Sequence, residues 1–439
     1  MPDHAVSDDP AVQEQLDRLT HLSPGADILG LERITRLLSR LDDPHRALPP
    51  VFHVAGTNGK GSTCAFLRAA LEADGRSVHV YTSPHLVRFN ERIRLNDVLI
   101  DDARLARYLG RVLDAAGDIG PSFFEATTAA AFLAFAEHPA DACIVEVGLG
   151  GRLDATNVIP APAICGIAQL GVDHQAFLGS RITQIAAEKA GIAKSGVPLV
   201  TLDYDPEVTA VIAEQAAVAG AHVLAKGAAW DAAVYRERLH YRDENGRMDT
   251  PLPRLPGPHQ SLNAALALAM LRHQHAVAVS EPALKAAPLW ATWPARLQRL
   301  TEGPLFDRLG GGDLHVWLDG GHNPAAGAML GGFFDATRME GGKLSLLVGM
   351  LANKDLAGFL TPLRERIGHI HSVPVAGHDC HPPETFSVLA RRWGVPHSAH
   401  TDIGAAADAI GQADRTPLLI TGSLYLAGEV LRMNAQLPD

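Results

Sequence analysis

The sequence contains no apolar run of the length that a membrane span requires, and Met1 to Leu22 lack the hydrophobic stretch of a secretion signal. Cysteine is scarce as well, since the 4 cysteines form no C-x-x-C pair and lie mostly in apolar segments. Such usage is typical of a reducing compartment. These absences exclude a disulfide framework, and we expect a soluble cytoplasmic protein without a membrane partner.

Positive charge is also in short supply. The chain has 38 lysines and arginines against 49 aspartates and glutamates, which gives a net charge of -11. This balance argues against a general affinity for nucleic acid, so an anionic ligand must be held by local geometry. We therefore expect small-molecule ligands and no nucleic-acid partner.

The length and the pattern of the chain predict two domains. Its 439 residues are too many for one ordinary core, and predicted strands alternate with helices, which indicates an α/β fold with parallel sheets. A tryptophan pair and three prolines over 282–294 mark the predicted boundary. We expect a first domain over 1–294 and a smaller α/β domain over 295–439. Ahead of the boundary, 231–258 predicts a β-hairpin that turns at Asn245-Gly246.

The most informative stretch is a glycine-rich turn between a predicted strand and a predicted helix. It runs His53-Val54-Ala55-Gly56-Thr57-Asn58-Gly59-Lys60-Gly61-Ser62-Thr63. Glycines let the backbone approach an anion, the new helix directs unpaired N–H groups at it, and Lys60 adds a mobile charge. A hydroxyl of Ser62 or Thr63 is available to Mg²⁺. The stretch therefore predicts a nucleotide-phosphate loop.

The match to the general phosphate-loop pattern is incomplete. That pattern has glycine where Val54 stands and a hydroxyl where Gly61 stands. A plain strand-to-helix turn is the alternative, and the strand before and the helix after favour the phosphate loop.

Polar residues follow several other predicted strands. Glu146 ends one strand and His174 follows another, where an α/β sheet places ligand-binding groups. A carboxylate and an imidazole there would suit Mg²⁺ held mainly by nucleotide oxygens and water, with capped turns as the alternative. Asp319 and His322 take the corresponding place in the second domain. The crowded stretch His378-Asp379-Cys380-His381 predicts a polar loop rather than a zinc site.

Other charged residues are predicted by spacing to lie at the surface. Lys189 follows Glu188 on a predicted helix, which favours an exposed pair. Arg88, Arg92 and Arg94 alternate with apolar residues and are expected in solvent.

In this order, the segments resemble those of the folylpolyglutamate synthases and the bifunctional dihydrofolate synthase/folylpolyglutamate synthases, members of the Mur ligase superfamily. Seven motifs from about residue 28 to 430 carry the resemblance: Gly56-Thr57-Asn58-Gly59-Lys60-Gly61-Ser62, Thr82-Ser83-Pro84-His85-Leu86, 146–157, Asp173-His174 with Leu178-Gly179, Glu188-Lys189-Ala190-Gly191-Ile192, Asp319-Gly320-Gly321-His322-Asn323-Pro324 and Thr421-Gly422-Ser423-Leu424-Tyr425. The chain departs from the family at Ala295, where glycine is frequent, and at Gly321, where alanine is usual.

The resemblance implies a Mur-ligase-like fold, with a phosphate-loop domain built on a parallel-rich central sheet and a smaller Rossmann-like C-terminal domain. It implies that ATP and Mg²⁺ are used to join L-glutamate to dihydropteroate and to the γ-carboxylate of folates through an acyl phosphate. The alternatives within the family are polyglutamylation alone or another Mur-type amino-acid ligase. A nucleotide-gated binding protein is the alternative outside it. We expect a monomer.

The resemblance also assigns roles to individual residues. It implies ATP between the two domains, with its phosphates on Thr57, Asn58, Gly59, Lys60, Gly61 and Ser62, and contacts from the far side by Asn263, Arg296 and Asp319. Lys60, Lys189 and His322 are the implied catalytic residues, with Lys189 carried as a carbamate. Two Mg²⁺ sites are implied, one on Ser83 and Glu146 and one on His174. The pterin is expected near the Leu22 to Gly30 loop and against Phe123, Phe124, Glu125, Leu153, Asp154 and Ala155.

Overall fold

A computed structural model describes residues 5–22, 29–337, 342–413 and 415–439. The chain forms two compact units. Unit 1 holds 1–254, 259–292 and Asp439, and unit 2 holds 255–258 and 293–438. Within the part of the chain that the structure describes, no helix combines the length and the apolarity needed to cross a bilayer.

Unit 1 is built on an eight-stranded sheet with the order β4-β3-β2-β5-β1-β6-β7-β8. Its strands are β1 (Val51–Ala55), β2 (Val78–Tyr81), β3 (Ile93–Leu95), β4 (Val98–Leu99), β5 (Ala142–Glu146), β6 (Ile164–Ile167), β7 (Pro198–Thr201) and β8 (His222–Ala225). The six strands from β2 to β8 in this order are parallel, and β3 and β4 continue the sheet antiparallel.

Helices cover both faces of this sheet. They are α1 (Pro10–Leu22), α2 (Glu32–Ser39), α3 (Lys60–Ala73), α4 (Asp102–Ala116), α5 (Phe123–Glu137), α6 (Gln175–Leu178), α7 (Ile182–Ala190), α8 (Pro206–Ala219), α9 (His259–Arg272) and α10 (Glu281–Trp290). One apolar core joins α1, α2, α4 and α5 to the sheet, and another joins α7 and α8 to it. Phe132 and Phe135 belong to the first core.

The predicted hairpin is part of a three-stranded antiparallel sheet of β9 (Trp230–Tyr235), β10 (Arg238–Asp243) and β11 (Gly246–Pro251). The stretch 282–294, predicted to mark the domain boundary, is largely helix, because α10 runs from Glu281 to Trp290. Pro282 lies in its first turn, where a missing N–H costs nothing, and α10 packs against α3.

Unit 2 has a six-stranded sheet with the order β12-β13-β17-β14-β15-β16, parallel except for β12. Its strands are β12 (Gln298–Leu300), β13 (Val316–Leu318), β14 (Leu344–Val348), β15 (Ile367–Ser372), β16 (His397–Ala399) and β17 (Leu418–Thr421). Its helices are α11 (Pro304–Arg308), α12 (Pro324–Ala336), α13 (Leu356–Leu360), α14 (Pro383–Trp393), α15 (Ile403–Gly411) and α16 (Leu424–Met433).

The position of β1 in the sheet indicates where a ligand site is expected in unit 1. Consecutive strands β5 and β6 lie on opposite sides of β1, so the sheet changes winding direction there. Crevices at the carboxyl ends of strands at such a point are the usual ligand sites of open α/β sheets. The glycine-rich loop follows β1, and Glu146 ends β5, so both predicted groups lie at this edge.

Candidate active site

The glycine-rich loop is held by the segment after β6. The N–H groups of Thr57 and Asn58 donate to the Gln169 carbonyl at 2.8 and 3.2 Å, and the Thr57 hydroxyl donates to the Gly171 carbonyl at 2.9 Å. At Gly56, φ is +150°, and an added Cβ would lie 2.9 Å from the Cβ of Ala168. The loop therefore requires glycine at this position for space as well as for conformation.

The helix after the loop begins at Lys60, directly after Gly59 with its φ of +83°. Thr63 returns its N–H and its hydroxyl to the Gly59 carbonyl, both at 2.9 Å. The N–H groups of Lys60, Gly61 and Ser62 belong to the first turn, which has no intrahelical acceptors, so they are suited to an anion.

Asn263 lies in unit 1 beside this loop. A Cβ on Gly59 would collide with the side-chain oxygen of Asn263, and the Asn263 amide donates to Gln260 Oε1 at 3.0 Å. Asn263 is held beside the loop because α9 packs against α3 within unit 1. Its contact with ATP stays a prediction.

Lys60, Glu146 and Ser83 are brought together beside the loop. Lys60 Nζ lies 3.3 Å from the Thr57 carbonyl oxygen and 3.9 Å from Glu146 Oε1. The other oxygen of Glu146 accepts the N–H of Ser83 at 3.3 Å. Glu146 is buried at the end of β5, and Ser83 follows β2, the neighbouring strand. A carboxylate, a hydroxyl and an ammonium group thus share the edge where the loop begins.

His174 precedes the short helix α6 and is exposed. Its φ is +50°, and its N–H donates to the carboxylate of Asp173 at 2.7 Å. The structure thus explains the turn at this position, which was the alternative to a metal ligand. Its role in holding Mg²⁺ stays a prediction.

Lys189 is buried, and the spacing-based prediction of an exposed pair with Glu188 is wrong. Its side chain lies under the phosphate loop, where Nζ donates to the Gly56 carbonyl at 2.8 Å. Burial, and then the positive charge of Lys60, lower the pKa of Lys189 to about 7, while Asp173 and Asp154 act in the opposite direction. Local spacing failed because a second segment covers this face of α7.

That covering segment is the glycine-rich turn after β5. The Arg152 N–H donates to the Glu188 carbonyl at 2.7 Å, and the Arg152 guanidinium pairs with the Glu188 carboxylate at 2.7 Å. An added Cβ on Gly151 would lie 2.6 Å from the Glu188 carbonyl oxygen. Gly151 therefore allows the turn to lie on α7 and enclose Lys189.

The predicted pterin residues fall on two adjacent segments. Phe124 packs over Gly148, where an added Cβ would collide with its ring. Ser122 and Glu125 form a capping box at the start of α5, and Glu125 also pairs with Arg33 at 3.0 Å. Phe123 is buried, and its ring lies edge-on to Phe89.

The second pterin segment follows the glycine-rich turn. Leu153 is half-buried, and Asp154 and Ala155 are buried. Burial raises the pKa of Asp154, against the effect of the N–H and O–H groups that donate to it. The structure therefore brings Phe124 and the segment of Asp154 to the same turn. The remaining predicted part of this pocket, 23–28, lies outside the described residues.

Arg92 is buried, so the prediction that it lies in solvent is wrong. Its Nε donates to His85 Nδ1 at 2.9 Å, and its guanidinium lies 5.2 Å from the ring centre of Phe89 and 5.7 Å from that of Phe123. Apolar alternation predicted a half-exposed strand, whereas 89–92 is a 3₁₀ turn that directs Arg92 inward. Sequence reasoning missed this side chain, and the aromatic neighbours gave no signal specific enough to find it.

In unit 2, Asp319 lies after β13 and is buried. Its carboxylate accepts the N–H groups of Leu297 at 2.9 Å and Gly321 at 2.8 Å. Burial raises the pKa of Asp319, and the Arg296 guanidinium opposes this shift. His322 contacts the Gly320 carbonyl oxygen through Nδ1 at 3.0 Å. The structure brings Arg296, Asp319 and His322 to one edge of the sheet. Their roles stay predictions.

The two departures from the family both lie beside this group. Ala295 has a φ of +54°, a conformation that glycine adopts without strain, which explains the glycine frequent in the family. A Cβ at Gly321 would lie 2.9 Å from Asp319 Oδ1, so an alanine there requires the carboxylate to shift.

The stretch 378–381 is a polar loop, as predicted. His381 Nε2 contacts the Lys354 carbonyl oxygen at 2.8 Å, and His378 stacks on Tyr425 with 3.9 Å between ring centres. Among the described residues, no group of three or more histidine, cysteine or acidic side chains is placed to hold a metal ion.

Comparison with known proteins supports the same fold. Residues 54–271 match the Mur ligase middle domain. The dihydrofolate synthase/folylpolyglutamate synthase of Escherichia coli is 37% identical over 350 residues, which cover 80% of this chain and 78% of that protein.

Two solved structures extend the likeness to almost the whole chain. Escherichia coli FolC in complex with DHPP and ADP has a TM-score of 0.85 at 33% identity, covering 97% of each chain. A bifunctional folylpolyglutamate synthase/dihydrofolate synthase with Mn, AMPPNP and L-glutamate bound has a TM-score of 0.83 at 32% identity, covering 96% of this chain and 97% of that one.

The match over 54–271, together with a glycine-rich loop after β1, a carboxylate beside it and a second α/β unit, identifies the chain as a ligase of the Mur class. Within this class, the 37% identity with the Escherichia coli dihydrofolate synthase/folylpolyglutamate synthase extends over 80% of the chain, which is enough to assign a family. This chain belongs to the dihydrofolate synthase/folylpolyglutamate synthase family.

Proposed function

We propose that this protein uses ATP to join L-glutamate to the carboxylate of dihydropteroate, forming dihydrofolate, and to the γ-carboxylate of folates, extending their polyglutamate chain. The observation that carries the proposal is the meeting of Lys60, Glu146 and Ser83 beside a glycine loop at the winding change of the sheet. The names of the relatives support the choice of substrates.

The chemistry follows from the poor reactivity of a carboxylate. The pterin carboxylate oxygen attacks the γ-phosphorus of ATP, ADP leaves, and an acyl phosphate forms. The amine of L-glutamate then attacks the acyl carbon, loses a proton and displaces inorganic phosphate, which leaves an amide. Lys60 and the N–H groups of the first turn of α3 offset negative charge on the transferring phosphoryl group.

The residues present fit a divalent cation at Ser83 and Glu146. Hydroxyl and carboxylate oxygens are hard donors of the kind that Mg²⁺ prefers, and the structure holds these two residues together. Bound there, Mg²⁺ would neutralise phosphate charge. We assign a second Mg²⁺ site to His174. The manganese bound in a related structure supports the use of a divalent metal in this family.

Lys189 is the proposed site of a carbamate. Its amine is buried beside the phosphate loop with a pKa lowered to about 7, so a large share of it is neutral and nucleophilic at neutral pH. The neutral amine attacks CO₂ at carbon and loses a proton, which places an anionic carbamate next to the phosphate loop. That anion would orient the neighbouring groups that hold Mg²⁺ when it is bound.

The pterin is proposed to bind between Phe124 on α5 and the segment Leu153-Asp154-Ala155. Phe124 supplies an aromatic face, and the segment supplies a polar backbone and a buried carboxylate. Phe123 and Glu125 lie behind this pocket in the first turn of α5.

One assay separates this proposal from a nucleotide-gated binding protein. ADP release is measured with dihydropteroate, tetrahydrofolate or neither, each with and without L-glutamate. A ligase with both activities releases ADP steadily only when glutamate and either acid are present. Slow ADP release that ignores glutamate would contradict the proposal, and a response to tetrahydrofolate alone would reduce it to polyglutamylation.

A further inference from the structure

His53 is an unusual residue for its position. It is the middle residue of β1, paired with Val145 of β5 and Cys165 of β6, and its side chain is fully buried. Burial lowers the pKa of His53 to about 3, and the charge of Lys194 acts in the same direction. A neutral imidazole therefore occupies a place in the central strand where an apolar side chain would cost less to bury.

The imidazole is connected to Asp154 through one hydroxyl. His53 Nε2 lies 2.9 Å from the Thr156 hydroxyl oxygen, and that hydroxyl donates to Asp154 Oδ1. Because the Thr156 proton is used on the carboxylate, the hydroxyl oxygen must accept from His53, so Nε2 carries the imidazole proton. His53 Nδ1 has no hydrogen-bond partner among the described residues. Within the described part of the chain, the one hydrogen bond of this ring therefore runs toward Asp154, through the Thr156 hydroxyl.

The Asp154 carboxylate accepts hydrogen bonds from both segments that flank it. Oδ1 also accepts the Thr156 N–H at 3.0 Å, and Oδ2 accepts the Leu149 N–H at 2.8 Å. The carboxylate thus ties the glycine-rich turn after β5 to the 3₁₀ turn over Ala155–Val158. A small movement of this carboxylate would move both turns, which carry one wall of the proposed pterin pocket.

We propose that His53 is a positioning residue for the pterin substrate, acting through Thr156 to fix the Asp154 carboxylate and the wall of the pocket that it holds. This inference rests on the proposed function. β1 would then serve two parts of the site. It leads into the phosphate loop at its carboxyl end, and through His53 at its centre it orients the segment around Asp154.

The direct test compares two replacements of His53 by steady-state kinetics. His53→Met keeps the bulk but removes the donor, and a buried hydrogen bond of this kind corresponds to about a tenfold rise in KM for dihydropteroate. KM for ATP and kcat are expected to stay within about twofold, because the phosphate loop itself is not altered. His53→Gln places an amide N–H near the position of Nε2 and is expected to restore most of the affinity.

Thr156→Val tests the relay without changing the central strand. It removes the hydroxyl at nearly constant size, so KM for dihydropteroate is expected to rise as in His53→Met. The double variant His53→Met/Thr156→Val is expected to have the same KM for dihydropteroate as Thr156→Val alone. His53 acts on Asp154 only through Thr156, so its loss adds nothing once the hydroxyl is gone.

His79→Met is the matched control. His79 is also a fully buried strand histidine, on β2, and its Nε2 contacts the His138 carbonyl oxygen at 3.0 Å. This variant is expected to lower the melting temperature without raising KM for dihydropteroate.

A normal KM in His53→Met, or the same rise in His79→Met, would overturn the inference. Should His53→Met fail to fold, a normal KM in Thr156→Val overturns it equally. Failure of the proposed function is distinguishable, because the wild-type protein itself would then show no glutamate-dependent turnover of dihydropteroate.

Discussion

Lys189 Nζ donates a 2.8 Å hydrogen bond to the carbonyl oxygen of Gly56, so a buried lysine of α7 supports the first residue of the phosphate loop. The amine lies near a second cation, Lys60, and burial with this charge lowers its pKa to about 7. A lysine in such surroundings is unsuited to a surface ion pair and suited to reaction as a neutral amine.

Lys189→Ala is therefore expected to be nearly inactive in glutamate-dependent ADP release, with partial recovery when millimolar acetate supplies a carboxylate in place of the carbamate. Lys189→Arg is the control, because arginine stays protonated and leaves no space for acetate, so no recovery is expected. Electron density of the wild-type protein with bicarbonate and nucleotide at neutral pH should show the carbamate. A bare amine there would contradict this assignment.

Lys60→Ala is expected to lower turnover with both pterin substrates by on the order of a thousandfold, because each reaction needs the same phosphoryl transfer. The melting temperature should change little, since the Lys60 side chain is partly solvent-accessible. Lys285→Ala, on an exposed ion pair of α10, should leave turnover unchanged. Near-normal ADP release by Lys60→Ala would refute the phosphate-loop assignment.

Asp154→Ala is expected to reduce the use of dihydropteroate more than the use of tetrahydrofolate. Its carboxylate holds the Leu149 and Thr156 backbone in place, so its loss alters the wall of the pterin pocket. The ratio of kcat/KM for the two acids is the measurement. Equal losses would show that Asp154 does not belong to a site that favours dihydropteroate.

The stability of unit 2 is expected to depend on pH through a histidine cluster. His371 Nδ1 lies 3.0 Å from His400 Nε2, and the His369 ring stacks on His371 at 4.0 Å. Burial and then the neighbouring histidines lower the pKa of His371 from 6.5 to about 3. The unfolded chain binds the proton first as pH falls, so this contribution to stability is present above about 6.5 and is lost toward about 3.

The melting temperature should therefore fall as pH is lowered from about 6.5, and His371→Gln should make this dependence shallower because one titrating ring is removed. His222→Gln, at the exposed first position of β8 in unit 1, is the control and should keep the wild-type slope. An unchanged slope in His371→Gln would show that this cluster does not cause the acid sensitivity.

The strand, the glycine-rich turn and the helix around Lys60 were predictable because they are local in sequence. The apolar run before Gly56 and the positive φ at Gly59 follow from adjacent residues, and the structure shows both. Parallel pairing also followed from alternating strands and helices. The order of the strands could not be predicted from the sequence, because it depends on which connection between consecutive strands crosses over β1.

Burial of single charged residues could not be predicted from spacing. Lys189 and Arg92 both lie on segments with polar neighbours, and each is buried by a segment remote in sequence, the turn at Gly151 for the first and α5 for the second. Asn263 lies beside the loop through another contact between segments remote in sequence, the packing of α9 on α3. Such contacts are set by tertiary structure, which local periodicity does not encode.

The central claim is that a carboxylate is activated by phosphoryl transfer before glutamate attacks it. Dihydropteroate labelled with ¹⁸O at both carboxyl oxygens, incubated with ATP, Mg²⁺ and L-glutamate, tests this directly by mass spectrometry of the released phosphate. Transfer of the phosphoryl group to the carboxylate leaves one labelled oxygen in each phosphate and one in the amide of dihydrofolate. Unlabelled phosphate, formed while ADP accumulates, would contradict it.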